Sequence, residues 1–181
     1  MIANTYTLDL NDVNMENEDF NIKKYTFNDT EYNIIKYNKE KLKLYEETDN
    51  EKFIKNSKFR SVIIRDNKVV CYSPSKSYNY DLFKNNNENI ENRYIEDFGE
   101  GTMINVFWDV IHESWEIATR STVGGNIIFF NDIKNYKYYK IPNYFENHTE
   151  STFRNLFFEA CNLSNFDLNT LNKNFCYSFV L

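Results

Sequence analysis

All four glycines of this chain, Gly99, Gly101, Gly124 and Gly125, lie in one stretch, EDFGEGTMINVFWDVIHESWEIATRSTVGGN, which runs from Glu96 to Asn126. At the ordinary frequency of about 7%, a chain of this length carries roughly a dozen. Glycine reaches φ > 0 cheaply and lets backbone approach a neighbour closely. The chain therefore either turns most sharply in this window or holds something there. Read structurally, Gly99 and Gly101 shape the approach to a hairpin and Gly124-Gly125 make a turn. Read functionally, glycine-flanked amides beside Arg120, in ATRST, make a phosphate-holding site, and Glu100 sits between two glycines where a ligand can come close. The spacing matches neither the Walker A loop nor GxGxxG.

Around this window the patterning points to an α+β domain. Hydrophobic content is 41% and aromatic content 18%, which is too apolar for a disordered chain and makes Phe and Tyr the main core material. Loosely alternating polar and aromatic residues before position 35 predict one or two strands. YNKEKLKLYEETDNEKFIKN, at 37–56, is rich in helix formers, with Leu42, Tyr45 and Phe53 on one face. Ser61–Arg65 and Lys68–Ser73 flank Asp66-Asn67, residue types that tolerate a tight hairpin turn. GTMINVFWD and SWEIATRS form a second hairpin that turns near His112, followed by NIIFF at 126–130. STFRNLFFEACNLS reads as a helix capped by Ser151, with Phe153, Leu156, Phe157, Ala160 and Cys161 on one stripe. The closing NFCYSFVL reads as a buried strand, so that the chain stops mid-fold. The expectation is one compact domain with a largely antiparallel sheet and two or three helices, divided into 1–57 (strands and helix) and 58–181 (core). KNNNENIENR, at 84–93, reads as a solvated loop, and KNYKYYK, at 134–140, as an exposed strand.

Charge narrows the partners. Net charge is −6 with a pI near 5.1, so non-specific duplex binding, which needs many cations on phosphates, is excluded. No apolar run is long enough to span a membrane, and the N-terminus lacks the features of a secretory signal. The chain is expected to be soluble and cytoplasmic. Cys71, Cys161 and Cys176 are widely spaced, with no CxxC, and read as reduced thiols; His112 and His148 form no zinc motif, so no structural metal is expected.

The order FRSVIIRDNKVVCYSPSKSYNYDLF, EDFGEGTMINVFWD, WEIATRSTVGG, then TFRNLFFEACNL to NFCYSFVL resembles the nucleotidyltransferase domain of ATP-dependent RNA ligases of the bacteriophage RNA ligase 1 type. It is more similar still to ligase-like proteins of large DNA viruses, over roughly residues 58–181. The resemblance implies a nucleotidyltransferase fold and ATP or GTP as ligand. Arg60 matches the first strand's arginine, Lys76 in SPSKS the phosphate-contacting lysine, Glu100-Gly101 the Asp-Gly of the nucleophile motif, and Arg120 the basic residue near the phosphates. Two positions depart from it. Phe98 stands where the family has its nucleophilic lysine, and Ser178 where it has a strand glutamate. The chain also ends before the family's last two motifs. Covalent nucleotidyl transfer needs an activated amine, and phenylalanine has none.

The expected function is thus a non-catalytic, nucleotidyltransferase-like module that binds a nucleotide or an RNA 5′ end, with Arg60, Lys76 and Arg120 on phosphates and Glu100 on a ribose or base edge. A basic cleft formed by those three cations is its structural signature. A sharper variant is cap recognition by Trp108 and Trp115, the only tryptophans, with Glu116 adjacent, since a methylated guanine is cationic and stacks on aromatic rings. The alternatives are a protein–protein scaffold or subunit of a viral assembly, using the terminal strand edge, and the N-terminal part of a working ligase, which Phe98 opposes.

Overall fold

Asn and Asp, rather than glycine, turn the first half of this chain. The computed structural model describes residue 8, residues 18–86, residue 97, residues 99–128 and residues 152–181. Strands β1 (Phe20–Phe27) and β2 (Thr30–Tyr37) meet at Asn28 (φ 47°) and Asp29 (φ 57°). Strands β3 (Val62–Arg65) and β4 (Lys68–Tyr72) meet at Asp66 (φ 50°) and Asn67 (φ 57°). Two successive left-handed residues make the hairpin turn whose twist matches that of its strands. The result is a four-stranded antiparallel sheet in the order β1-β2-β3-β4.

Between β2 and β3 the predicted helix over 37–56 is two helices, α1 (Lys39–Thr48) and α2 (Asn50–Ser57). Asp49 makes the break. Its backbone leaves the helical region (φ −150°), and its side chain caps α2 by accepting from Lys52 N at 3.0 Å. A short helix α3 (Tyr80–Asn86), unforeseen in the sequence, starts where Asn79 Oδ1 accepts from Leu82 N at 2.8 Å. With α4 (Phe153–Leu163) the described residues hold four α-helices, one more than the upper expectation. The N-cap of α4 is Thr152, one residue beyond the expected Ser151.

Among the described residues the expected single sheet is two. Strands β5 (Met103–Asp109), β6 (Ser114–Ala118) and β7 (Tyr177–Val180) form a second antiparallel sheet in the order β6-β5-β7. The period-2 alternation of β5 decides the layering. Phe107 faces the first sheet, joining Tyr32, Ile34, Ile63, Cys71, Ala118 and Val123 in a core between the sheets. Ile104 and Val106 face the other way, packing with Ile117, Phe157 and Cys161 beneath α4. Burying such an aliphatic side chain contributes about 1.5–3 kcal/mol. The third element, β7, differs from the buried strand read from its composition: Tyr177 and Phe179 turn inward while Ser178 and Val180 are exposed, as befits an edge.

The division at 57/58 does not separate structural units, because the first sheet takes β1 and β2 from one side and β3 and β4 from the other. Of the expected strand at 126–130, Ile128 makes an isolated bridge to Thr152, and positions 129–130 lie outside the described residues. So do Phe98, His148, the 134–140 stretch and most of 84–93. No helix among the described residues is long and apolar enough to cross a membrane.

Candidate functional site

The C-terminal part of the glycine window is a tight turn that holds out an arginine. Ala118 bridges Val123, Thr119 N donates to Thr122 O at 2.9 Å, and the two threonine hydroxyls hydrogen-bond each other at 2.9 Å. Arg120 and Ser121 form the tip. Gly124 (φ 86°) and Gly125 (φ 65°) then swing the chain toward α4. A Cβ on Gly124 would collide with the Phe27 ring, so both the conformation and the close approach require glycine there.

From this tip Arg120 reaches the end of the first sheet. Its Nε donates to the Arg60 carbonyl oxygen at 3.4 Å, and its guanidinium lies 5.3 Å from the Tyr37 ring centre. Lys36 Nζ donates to Ser121 Oγ at 3.0 Å. On β2, Tyr32 and Ile34 face the second sheet, and the next residue on that face is Lys36, so the apolar seam between the sheets ends in a cation. Arg120, Lys36, Tyr37, Lys39 and Ser121 line a cleft of about 470 Å³, with Asn38, the N-cap of α1, at its side. The Lys36 ammonium is pushed below its usual pKa, first by burial, then by repulsion from Arg120, Lys23 and Lys39. Four cations therefore share one neighbourhood. Among the described residues none of the four has an ion-paired carboxylate; the one carboxylate lining the cleft, Glu40, is exposed.

The other expected site residues scatter. Arg60 meets Arg120 through its backbone carbonyl and is not among the residues that line the cleft. Lys76 lies in an adjoining depression of about 340 Å³ that shares Tyr37 and Lys39; it pairs with Glu46 at 3.4 Å and sits 4.9 Å over the Phe53 ring. The three-cation cleft of Arg60, Lys76 and Arg120 is thus replaced by one of Arg120, Lys36 and Lys39. Glu100 and Gly101 lie on the other flank of β5 from β6: Gly101 packs against Val180 and Leu181, and Glu100 is exposed. Trp108 and Trp115 pair across the hairpin edge to face, with ring centres 5.5 Å apart at 76°, on the α4 side of the sheet. No parallel-walled slot for a base lies between them. Lys173 Nζ stands 3.6 Å from the Trp108 ring centre. Glu116 faces away from both rings, buried at 4% exposure and ion-paired to Arg154. Ser178 donates to Asn105 Oδ1 at 2.7 Å, and Asn105 donates to Ser73 Oγ at 2.8 Å, a polar chain linking the sheets.

Sequence reasoning missed Lys36, Lys39 and Lys23. The signal available was the break in the alternation Tyr32, Ile34, Lys36, where a lysine takes an inward position. It also missed a cluster around the buried Asp109 at the far end of β5. Arg65 NH1 donates to Asp109 Oδ1 at 2.6 Å, and His112 Nδ1 meets Asp109 Oδ2 at 2.7 Å. Among the described residues no three His, Cys, Asp or Glu side chains cluster as metal ligands would. The chain matches no protein-family model, no curated protein and no solved structure.

Proposed function

We propose that this chain is a non-catalytic module that binds a nucleotide or an RNA 5′ end, gripping its phosphates in the Arg120 cleft. The observation that carries this reading is the gathering of Lys36, Lys39, Arg120 and nearby Lys23 around one concavity without paired carboxylates. Like charges brought together with partial burial of Lys36 destabilise the fold, and an anion in the cleft relieves both penalties. Arginine grips two phosphate oxygens at once, while lysines act as point charges beside it. The volume lies in the range of about 300–1,000 Å³ usual for small-molecule sites. Tyr37 adds an aromatic wall. Glu100, on the other flank of β5, has no part in this reading, and Trp108 and Trp115 serve as packing beneath α4.

The non-catalytic part of the proposal rests on the sequence resemblance, in which Phe98 and Ser178 stand at positions of acting side chains. Such a module works in the cytoplasm, where nucleotides and RNA ends are at hand. Titration calorimetry with ATP, GTP and a 5′-triphosphorylated RNA tests the binding. R120A is expected to weaken it about tenfold to a hundredfold, the loss of a charge-assisted hydrogen bond. No heat up to millimolar ligand, from a folded sample, ends the proposal. Incubation with ATP and magnesium is expected to leave the intact mass unchanged, and a covalent nucleotide adduct would overturn the non-catalytic part alone.

A further inference from the structure

Two cysteines from opposite sheets meet in the core. Cys71 lies on β4 opposite Ile63, fully buried between the sheets, and Cys176, the residue before β7, packs against the same cluster. The two thiols are neighbours in that cluster: Cys176 Sγ lies 3.7 Å from the carbonyl oxygen of Tyr72, the residue next to Cys71. Their exposure differs. Cys176 is half-buried and lines a cleft of about 370 Å³ with Arg65, Tyr72, Trp108 and Lys173. Cys71 has no exposed surface. The third thiol, Cys161, is on α4 in the separate cluster beneath that helix.

We infer that Cys71 and Cys176 form a peroxide-sensitive dithiol, in which Cys176 is oxidised first and Cys71 closes a disulfide between the two sheets. The Cys176 thiolate attacks one oxygen of hydrogen peroxide. The O–O bond breaks, the sulfur becomes a sulfenic acid, and the released hydroxide takes up a proton to leave as water. The Cys71 sulfur, giving up its proton, then attacks the Cys176 sulfur; the S–O bond breaks and a second water leaves. Two thiols and one peroxide become one disulfide and two waters.

The asymmetry of the pair suits these roles. The hydrogen bond from Cys71 outweighs burial and brings the Cys176 thiol down to about 7, so a large share is thiolate at neutral pH. Burial pushes the Cys71 thiol well above its usual value, which keeps it protonated until its partner is oxidised. A thiol that is acidic, accessible and beside a resolving thiol is the arrangement most readily oxidised reversibly. This chemistry is independent of the anion cleft.

The test treats the reduced full chain with hydrogen peroxide at neutral pH, then maps a non-reduced digest by mass spectrometry. The expected product is a Cys71–Cys176 cross-linked peptide, lighter by two hydrogens and reopened by dithiothreitol. C161S should form it unchanged. In C71S, Cys176 should stop at the sulfenic acid and be trapped by dimedone; in C176S, Cys71 should stay reduced. A bridge to Cys161, cross-links only between chains, or a sulfenic acid that persists on wild-type Cys176 would each overturn the proposal. Should C71S fail to fold by circular dichroism, the wild-type map decides alone.

Discussion

Asp109 keeps its charge with 2% of its surface exposed because donors surround it: Arg65, His112 and the Ile111 amide at 3.0 Å. Burial alone would raise its pKa, but the hydrogen bonds from His112 and Arg65, then the Ile111 amide, outweigh it and hold the carboxyl at about 2. In the unfolded chain the same group titrates near 3.9. A depressed folded pKa stabilises the fold above the unfolded value and loses that contribution as pH falls through the folded one. The stake is about 2 kcal/mol, lost between roughly pH 4 and pH 2. Urea midpoints measured against pH for wild type and D109N should therefore converge in that window. D109N should also be less stable by about 3 kcal/mol at pH 7, because Arg65, 7% exposed, is left a buried charge without its partner. Gly124 sets a second residue-scale limit. Its φ of 86° and the Phe27 ring against it both reject a side chain, so G124A should lower stability by about 2 kcal/mol or more in thermal denaturation. Gly99, with nothing near its Cβ position and no positive φ, should accept alanine almost neutrally.

At the scale of elements, α4 is fastened to the second sheet by its first turn. Arg154 ion-pairs with Glu116 on β6, its guanidinium donates to the Gly124 carbonyl at 3.2 Å, and its amide donates to the Gly125 carbonyl at 3.0 Å. Glu116 also accepts from the Ile117 amide at 2.8 Å. Removing the cation alone strands a carboxylate that is 4% exposed, so R154A should lose about 3–5 kcal/mol. Adding E116Q removes the stranded charge, and the double variant should regain a large part of the loss in chemical denaturation; strict additivity would show the pair uncoupled. None of this pairing was legible in the sequence, since the partners are 38 positions apart and no local pattern joins them. What was legible is local. The alternation of β5 and β6, the Asp66-Asn67 turn and the apolar stripe of α4 each follow from a few neighbouring residues. The break at Asp49 needed a side chain to be recognised as a cap inside a run of helix formers. The separation into two sheets needed knowledge of which face of β5 each core covers. The candidate site was half legible: Arg120 and its turn came from the glycine window, while Lys36, Lys39 and Lys23 come from elements brought alongside only by tertiary packing.

Over the whole molecule the charge works against the site, and this opposition makes the proposed function selective. A body of net charge −6 repels a polyanion at long range, while the Arg120 cleft attracts one at contact. At 0.1 M salt the Debye length is about 10 Å, so the repulsion is largely screened beyond the first few base pairs while the cleft's contacts are not. A phosphate cluster concentrated at one end of a strand, as in a 5′-triphosphate, satisfies the cleft without drawing the rest of the backbone against an acidic surface. With Lys36, Lys39 and Arg120 engaged, the affinity for a 5′-triphosphorylated single strand should fall with salt at a log–log slope of about −2, and K36A should flatten that slope by about 0.7. Fluorescence anisotropy measured across a salt series gives both values. The decisive comparison is an RNA of identical sequence ending in a 5′-hydroxyl, together with a blunt DNA duplex of equal length. If either binds as tightly as the triphosphorylated strand, the cleft is responding to backbone charge at large, and the acidic body has failed to discriminate against it.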